Sequence, residues 1–258
     1  MQAEIKGTTM PVLEMMLDPG DVIVTVHGDL SWMTPNVQMS QTTQTGGQGG
    51  GGFMGAIKRM AGGGSLFLTR YEATGGQGMV AFASKLPGRI FPVEVAQGKG
   101  FLVHRHGWVC GTPGVGATVA LQQSIRGAIW GGEGFILQKL EGEGTAWIEL
   151  SGEIFNYTLV EGQSMLVHPG HVGLFEDTVQ FSVIRMQGIS NYLFGADGHH
   201  LVVMTGPGNI WLQSMPIPVL AGALTPFMAH DEKHDGMRDA VGGGAVGGIL
   251  GNVLGRGV

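Results

Sequence analysis

The stretch GFILQKLEGEGTAWIELSGEIFNYTLVEGQSMLVHPGHVG, residues 134–173, recurs in further copies elsewhere in the chain. When its second half is moved back by 64 positions, identical residues lie at eight places: Leu86, Gly88, Ile90, Phe91, Gly98, Leu102, Val103 and His104. When its first half is moved forward by 64 positions, identical residues lie at Gly198, Leu201, Gly206, Gly208 and Trp211. A single offset that works in both directions indicates an internal repeat, which has to be recognised before any site is proposed.

The amino terminus is a third, degenerate copy of the second half of the repeat. Placing Gly20 on Gly98 and Gly162 aligns apolar residues on both sides of the turn: Val12 with Ile90 and Ile154, and Val24 with Leu102 and Leu166. Along the chain, a second half at the amino terminus is then followed by two complete repeats, each a first half and a second half, and by a final first half. We therefore expect three units with boundaries near 64 and 128. We also expect the amino-terminal strands to complete the last unit, closing a ring that leaves no exposed sheet edge.

The local patterns are those of an all-β protein. Short apolar runs with period-two alternation are separated at roughly ten-residue intervals by turn signals such as Asp-Pro-Gly-Asp at 18–21. Glycine is abundant, with 48 of 258 residues, and 43% of the residues are apolar, which is enough to fill a core. These features predict a β sandwich or barrel with little helix.

Residues 201–229 contain no charged residue. Four prolines and several glycines in this segment would break a membrane-spanning helix repeatedly. We therefore interpret it as strands and turns, and we predict no membrane span.

Charge and cysteine content exclude some classes of protein. The net charge is −6 and no cluster of Lys and Arg stands out, which argues against a nucleic-acid partner. Cys110 is the single cysteine, so no disulfide can form within the chain and the composition fits a reducing cytosol. The amino-terminal sequence has no apolar run of the signal-peptide type. The expected location is cytoplasmic, peripheral to a membrane.

Two glycine-rich segments differ in composition from the rest of the chain. Residues 43–65 surround the island FMGAIKRM, whose apolar side chains share one helical face. The island is interpreted as a short helix packed on its own protein, with partner or membrane contact as the alternative. Residues 230–258 are predicted to be a flexible tail, and residues 1–229 a single β domain.

Several spaced motifs resemble the family of altered-inheritance-of-mitochondria protein twenty-four. They are GPGNIWLQ at 206–213, GEGTAW at 142–147, LPGRI at 86–90, the glycine-rich loop at 46–52 and GSLFLT at 64–69. The resemblance covers most of residues 5–215. It implies a double-stranded β-helix, a jelly-roll-like fold of three repeated units similar to the tryptophan RNA-binding attenuation protein. It also implies homotrimers, but it supplies no catalytic residue.

His104 and His106 are the strongest candidates for a metal site. The run GKGFLVHRH at 98–106 resembles the opening of the cupin metal motif, and residues two apart on a strand point to the same side. However, no Glu follows at the usual spacing, and only the first histidine recurs, as His168. Recurrence favours a structural role in strand packing or in a turn hydrogen bond.

Other residues with reactive or aromatic side chains have structural interpretations. Cys110 is expected to be a buried apolar filler. Trp147 and Trp211, in equivalent places of the repeat, are expected to anchor the core or an interface. The middle copy contains four carboxylates, Glu141, Glu143, Glu149 and Glu153, and alternation along the strands predicts that several of them face solvent. We therefore assign no catalytic, cofactor-binding or metal-binding residue, and we expect no cofactor.

The sequence thus predicts a non-enzymatic binding or scaffolding protein, assembled as a homotrimer. Its partner would be an unknown protein or a membrane surface, reached through the glycine-rich apolar segments at 43–65 and 236–258. Two alternatives stay open. One is a cupin-like metal-dependent enzyme using His104 and His106, and the other is a small-ligand binder resembling the attenuation protein.

Overall fold

A computed structural model describes residues 1–26, 30–43, 67–123, 135–185 and 200–228. Strand β1 (Gln2–Lys6) precedes three groups of six strands. The first group is β2 (Val12–Leu17), β3 (Val22–Val26), β4 (Trp32–Met33), β5 (Val37–Thr43), β6 (Phe67–Ala73) and β7 (Gly78–Ala83). The second is β8 (Gly88–Val95), β9 (Phe101–His104), β10 (Trp108–Gly111), β11 (Val115–Gln123), β12 (Phe135–Gly142) and β13 (Gly144–Ser151).

The third group is β14 (Ile154–Leu159), β15 (Ser164–Val167), β16 (Val172–Glu176), β17 (Gln180–Arg185), β18 (His200–Thr205) and β19 (Gly208–Gln213). A 3₁₀ turn, Pro169–His171, lies between β15 and β16, and helix α1 (Ile217–Met228) follows β19. The prediction of an all-β fold with little helix is confirmed.

The strands of the described residues form four antiparallel sheets. Two of them have six strands, in the orders β5-β6-β3-β10-β13-β8 and β11-β12-β9-β16-β19-β14. The other two have the orders β1-β2-β7-β4 and β15-β18-β17. Each six-stranded sheet takes three strands from one group and three from the next, so neighbouring groups are joined by main-chain hydrogen bonds.

The predicted repeat is visible as one strand register used three times. Leu17 lies opposite Gly78, Val95 opposite Gly144, and Leu159 opposite Gly208. The turns that follow these strands are also alike, because Gly20, Gly98 and Gly162 all have positive φ, of 87°, 76° and 75°. L-residues rarely adopt that conformation, which explains why glycine recurs in these turns.

The boundaries of the units differ from the expected ones. The amino-terminal strands β2 and β3 pair with β7 and β6 of the group that follows them, not with the last unit. Strand β19 already has β14 and β16 on its two sides, so no edge of that strand is open to the amino terminus. The three units are therefore consecutive, β2–β7, β8–β13 and β14–β19, and they meet near residues 84–87 and 152–153 instead of near 64 and 128.

The hydrophobic core is shared between units. One cluster combines residues of the first unit, such as Leu13 and Phe82, with Cys110 and Trp147 of the second. Another combines Leu137 of the second unit with residues of the third. The described residues up to Ile217 form one compact unit by their internal contacts, and helix residues 218–228 belong to a second unit.

Helix α1 corrects the interpretation of residues 201–229 as strands and turns only. Pro218 is the second residue of the helix, where the backbone N–H would have no partner within the helix, so a proline is tolerated there. Among the helices of the described ranges, none is long and apolar enough to cross a membrane. The predicted tail at 230–258 and most of the glycine-rich loop at 43–65 lie outside the described residues.

Candidate functional site

The recurring histidine makes the same hydrogen bond in two units. At the end of β9, Nδ1 of His104 accepts a hydrogen bond of 3.4 Å from the backbone N–H of His106. After β15, Nδ1 of His168 accepts one of 3.3 Å from the N–H of Gly170. In both units the imidazole holds the tight turn that follows the strand. The prediction of a structural role through a turn hydrogen bond is confirmed.

Both imidazoles are held in the neutral form. The pKa of His104 is lowered from its usual 6.5 to about 4, first by burial and then by the neighbouring His106, whereas the backbone carbonyl of Glu149 acts in the opposite direction. Burial followed by the charge of His171 lowers the pKa of His168. Because Nδ1 accepts a hydrogen bond, the proton of neutral His104 is on Nε2.

The surroundings of His104 do not assemble a metal site. With Nδ1 used by the turn, only Nε2 could face a metal, and it is buried with the backbone carbonyl of Glu149 as its polar neighbour. Among residues 1–26, 30–43, 67–123, 135–185 and 200–228, no group of three or more His, Cys, Asp or Glu side chains could hold a metal ion. The geometry therefore gives no support to the cupin-like alternative.

Two buried polar side chains accept hydrogen bonds from the backbone of the segments that connect the units. Oε1 of Glu149, on β13, accepts a 2.8 Å hydrogen bond from the backbone N–H of Lys85. Oε1 of Gln213, at the equivalent place on β19, accepts one of 3.1 Å from the N–H of Ser151. Three of the four carboxylates of the middle copy, Glu141, Glu143 and Glu153, are exposed, as expected for several of them, whereas Glu149 is only 7% exposed. The equivalent Gln213 was the signal in the sequence that this position is structural.

An open cleft lies where the second unit meets the third. Its volume is about 690 Å³, and it is lined by glycine-rich turns of the second unit and by Lys139, Glu141, Glu143 and Asp177. Nζ of Lys139 lies 3.3 Å from a carboxylate oxygen of Glu141 and 3.7 Å from one of Asp177. Lys139 is thus paired with carboxylates inside the cleft, and the lining gives no specific support to the small-ligand alternative.

The single cysteine and the two repeated tryptophans belong to the core. Cys110 is fully buried, as predicted for an apolar filler. Trp147 is buried in the cluster shared by the first two units. Trp211 packs edge to face on Phe101 of the second unit, with ring centroids 6.1 Å apart. The prediction that both tryptophans anchor the core or an interface is confirmed for the core.

Two sheets end on strands that would be internal if the repeat continued. Strands β10 and β16 each lie between a strand of their own unit and a strand of the preceding unit. Their counterpart β4 is the last strand of its sheet. Strands β3 and β9 are likewise internal, whereas their counterpart β15 is the last strand of its sheet. Within the described residues, β4 and β15 thus present one open edge each.

Large apolar side chains are exposed at these two edges. Trp32 on β4 is 46% exposed, although its equivalents Cys110 and Leu174 are 0% exposed. Leu166 on β15 is 55% exposed, whereas its equivalent Val24 is 3% exposed. In the repeat Leu166 aligns with Val24, and no sequence motif marks either residue as functional.

The chain is similar to known proteins both in sequence and in fold. A family model described as mitochondrial biogenesis AIM24 matches residues 3–215. An uncharacterised protein of Streptococcus pyogenes serotype M6 is 28% identical over 227 residues, which are 86% of this chain and 89% of that protein. A crystal structure of a protein from Streptococcus pyogenes superposes with a TM-score of 0.68 at 24% identity, covering 88% of this chain and 99% of the other. The structural likeness concerns the fold.

Proposed function

The chain belongs to the AIM24 family, and from this premise we propose that it is a non-enzymatic scaffolding protein that works as an assembly of copies of itself. The resemblance stated above makes three the expected number of copies. The recurring residues described above hold turns, unit junctions and the core. The residues available for binding are therefore those that the units do not share.

The main observation that supports this proposal is the open edges of β4 and β15. Trp32 and Leu166 are exposed. At the same places in other units, Cys110, Leu174 and Val24 are buried and Leu102 is partly buried. An exposed apolar side chain loses stabilisation on the order of 25 cal/mol for each Å² of apolar surface left in water. A further unit placed on either edge would bury the exposed side chain and recover this stabilisation.

The sequences of these edges also support pairing. Natural sheets protect their edges from association with charged residues, prolines or bulges. Neither β4, with the sequence WM, nor β15, with the sequence SMLV, contains a charged residue or a proline. Charges and prolines are therefore missing from both edges, and the only protective feature of this kind is the shortness of β4, which has two residues.

Native mass spectrometry of the full chain tests the proposal, with three copies as the expected result. Leu166→Lys places a charge at the proposed contact and should shift the population toward single chains. Phe155→Lys is the matched control, because Phe155 lies on the outer strand β14 and is 50% exposed, close to the exposure of Leu166. A wild-type protein that is a single chain at micromolar concentration would refute the proposal.

We propose in addition that the assembly lies in the cytoplasm and touches a membrane surface through helix α1. This helix contains no charged residue, and Val219, Leu224 and Phe227 are exposed on it. Twelve residues span about 18 Å, less than the hydrocarbon core, so contact would be at the surface. Replacing Leu224 and Phe227 by Gln should reduce flotation with lipid vesicles, and the same change at Ala221 and Thr225 should not. Equal flotation of both variants would argue against this contact.

A further inference from the structure

We infer that a second copy of the chain continues the sheet at the open edges, with β15 of one copy antiparallel to β4 of the next and Met33 directly opposite Leu166. The inference rests on the proposal that the protein works as an assembly of copies. It specifies which strands meet and in which register.

The register follows from the two junctions that the chain forms within itself. Where the second unit meets the first, Gly111 on β10 pairs with Val24 on β3. Where the third unit meets the second, Phe175 on β16 pairs with Leu102 on β9. The two pairs are the same pair of positions in successive units, because Val24 aligns with Leu102 and Gly111 lies 64 residues before Phe175.

The corresponding positions at the open edges are fixed by the intact sides of the same strands. Across β7, β13 and β19, Met33 pairs with Val80, Gly111 with Ala146, and Phe175 with Ile210. Met33 is thus the counterpart of Gly111 and Phe175. Leu166, which pairs with Val203 on its intact side, is the counterpart of Val24 and Leu102. The third pair of the series is therefore Met33 with Leu166.

Joining the edges reproduces the sheet that the chain already contains twice. Strands β17, β18 and β15 of one copy, followed by β4, β7 and β2 of the next, have the order seen in β5-β6-β3-β10-β13-β8. In the same register Trp32 lies opposite Val167, as Leu174 lies opposite Val103 at the junction of the second and third units. Such a contact uses different surfaces on the two copies, so it propagates head to tail and ends only when a ring closes.

Disulfide formation between two single-cysteine chains tests the register. Chains carrying Met33→Cys and chains carrying Leu166→Cys are co-expressed, both with Cys110→Ala so that no other thiol is present. Residues directly opposite on antiparallel strands have Cα atoms about 4.5–5.5 Å apart, within the range that a disulfide spans. We expect a covalent dimer of the two chains under mild oxidation.

Two controls define the position. Ser164→Cys lies two residues along β15, at a diagonal distance of about 7–8 Å from Met33, and should cross-link several-fold less. Phe155→Cys lies on β14 and should not cross-link to Met33→Cys. Each variant is also oxidised alone, to measure dimers between identical chains.

The outcomes separate this inference from the proposed function. A dimer of Met33→Cys with Leu166→Cys, well above both controls, supports the register. An intact oligomer by native mass spectrometry without that dimer overturns the inference and leaves the proposed assembly standing. A wild-type protein that is a single chain overturns the proposed function, and the inference with it.

Discussion

His104 and His168 have the same task, although one belongs to the motif that resembles a metal site. Each imidazole accepts a backbone hydrogen bond through Nδ1 in the turn after its strand. A ring whose first nitrogen is occupied by its own turn, and whose pKa is held low by burial, is suited to fixing backbone geometry. At the residue scale the two histidines therefore have a structural role, which is to hold the turns after their strands.

The lowered pKa of His104 predicts a loss of stability in mild acid. The unfolded chain takes up a proton as the pH falls below 6.5, whereas the folded chain does so only near 4, so the free energy of unfolding falls across this interval. His104→Asn keeps an acceptor and removes the titration. Between pH 7 and 4.5 the wild type should lose about 2 kcal/mol more than this variant in urea unfolding.

The comparison of pH dependence, rather than of stability at one pH, isolates His104. His168 and the carboxylates titrate in both proteins, and their contributions cancel in the difference. Parallel pH profiles for the wild type and His104→Asn would contradict the assignment.

Glu149 and Gln213 allow a second residue-scale prediction. Both side chains accept a hydrogen bond from the backbone of a connecting segment, and Nε2 of Gln213 also donates one to the carbonyl oxygen of Gly170. Burying an amide costs less than burying a carboxylate. Glu149→Gln should therefore leave the melting temperature equal or raise it, whereas Glu149→Ala, which removes the acceptor, should cost about 1–3 kcal/mol. A Glu149→Gln protein as unstable as Glu149→Ala would refute this interpretation.

At the scale of the elements, the turns set where each strand ends. Gly20, Gly98 and Gly162 occupy the same place and share a positive φ, and space around each would admit a Cβ atom. Their conservation within the repeat therefore comes from backbone conformation and not from crowding.

The turn between β14 and β15 tests this reasoning. Gly162→Ala should lower the free energy of unfolding by about 1 kcal/mol, because the left-handed conformation is unfavourable for alanine. Gly162→Asn should cost less, since asparagine tolerates that conformation better. Chemical denaturation of the two variants gives the comparison, and an equal cost for both would indicate that crowding matters after all.

On the scale of the whole molecule, the three units are expected to unfold together. Their cores are shared, since Leu137 of the second unit is buried in the cluster of the third. Leu137→Ala should lower the free energy of unfolding by about 2–5 kcal/mol. It should shift a single transition, seen at the same denaturant concentration by circular dichroism and by tryptophan fluorescence. Two separated transitions would show that the units are independent.

The sequence by itself determined the repeat, the all-β class and the structural role of the recurring residues. These follow from local rules: strand alternation, glycine in turns of positive φ, and an offset of 64 residues that can be read along the chain. The burial of Cys110 and the anchoring role of Trp147 were predicted as well, the first from the apolar character of a free cysteine and the second from the recurrence of the tryptophan as Trp211.

Only the tertiary structure decided how the halves pair, that residues 217–228 form a helix, that Glu149 is buried, and which edges stay open. Strand pairing joins residues distant in the chain, and the same repeat is compatible with pairing to the preceding or to the following half. The exposure of Trp32 and Leu166 was not readable for the same reason. A residue on the last strand of a sheet has the same neighbours in sequence as one inside it, and differs only in whether another strand lies beside it.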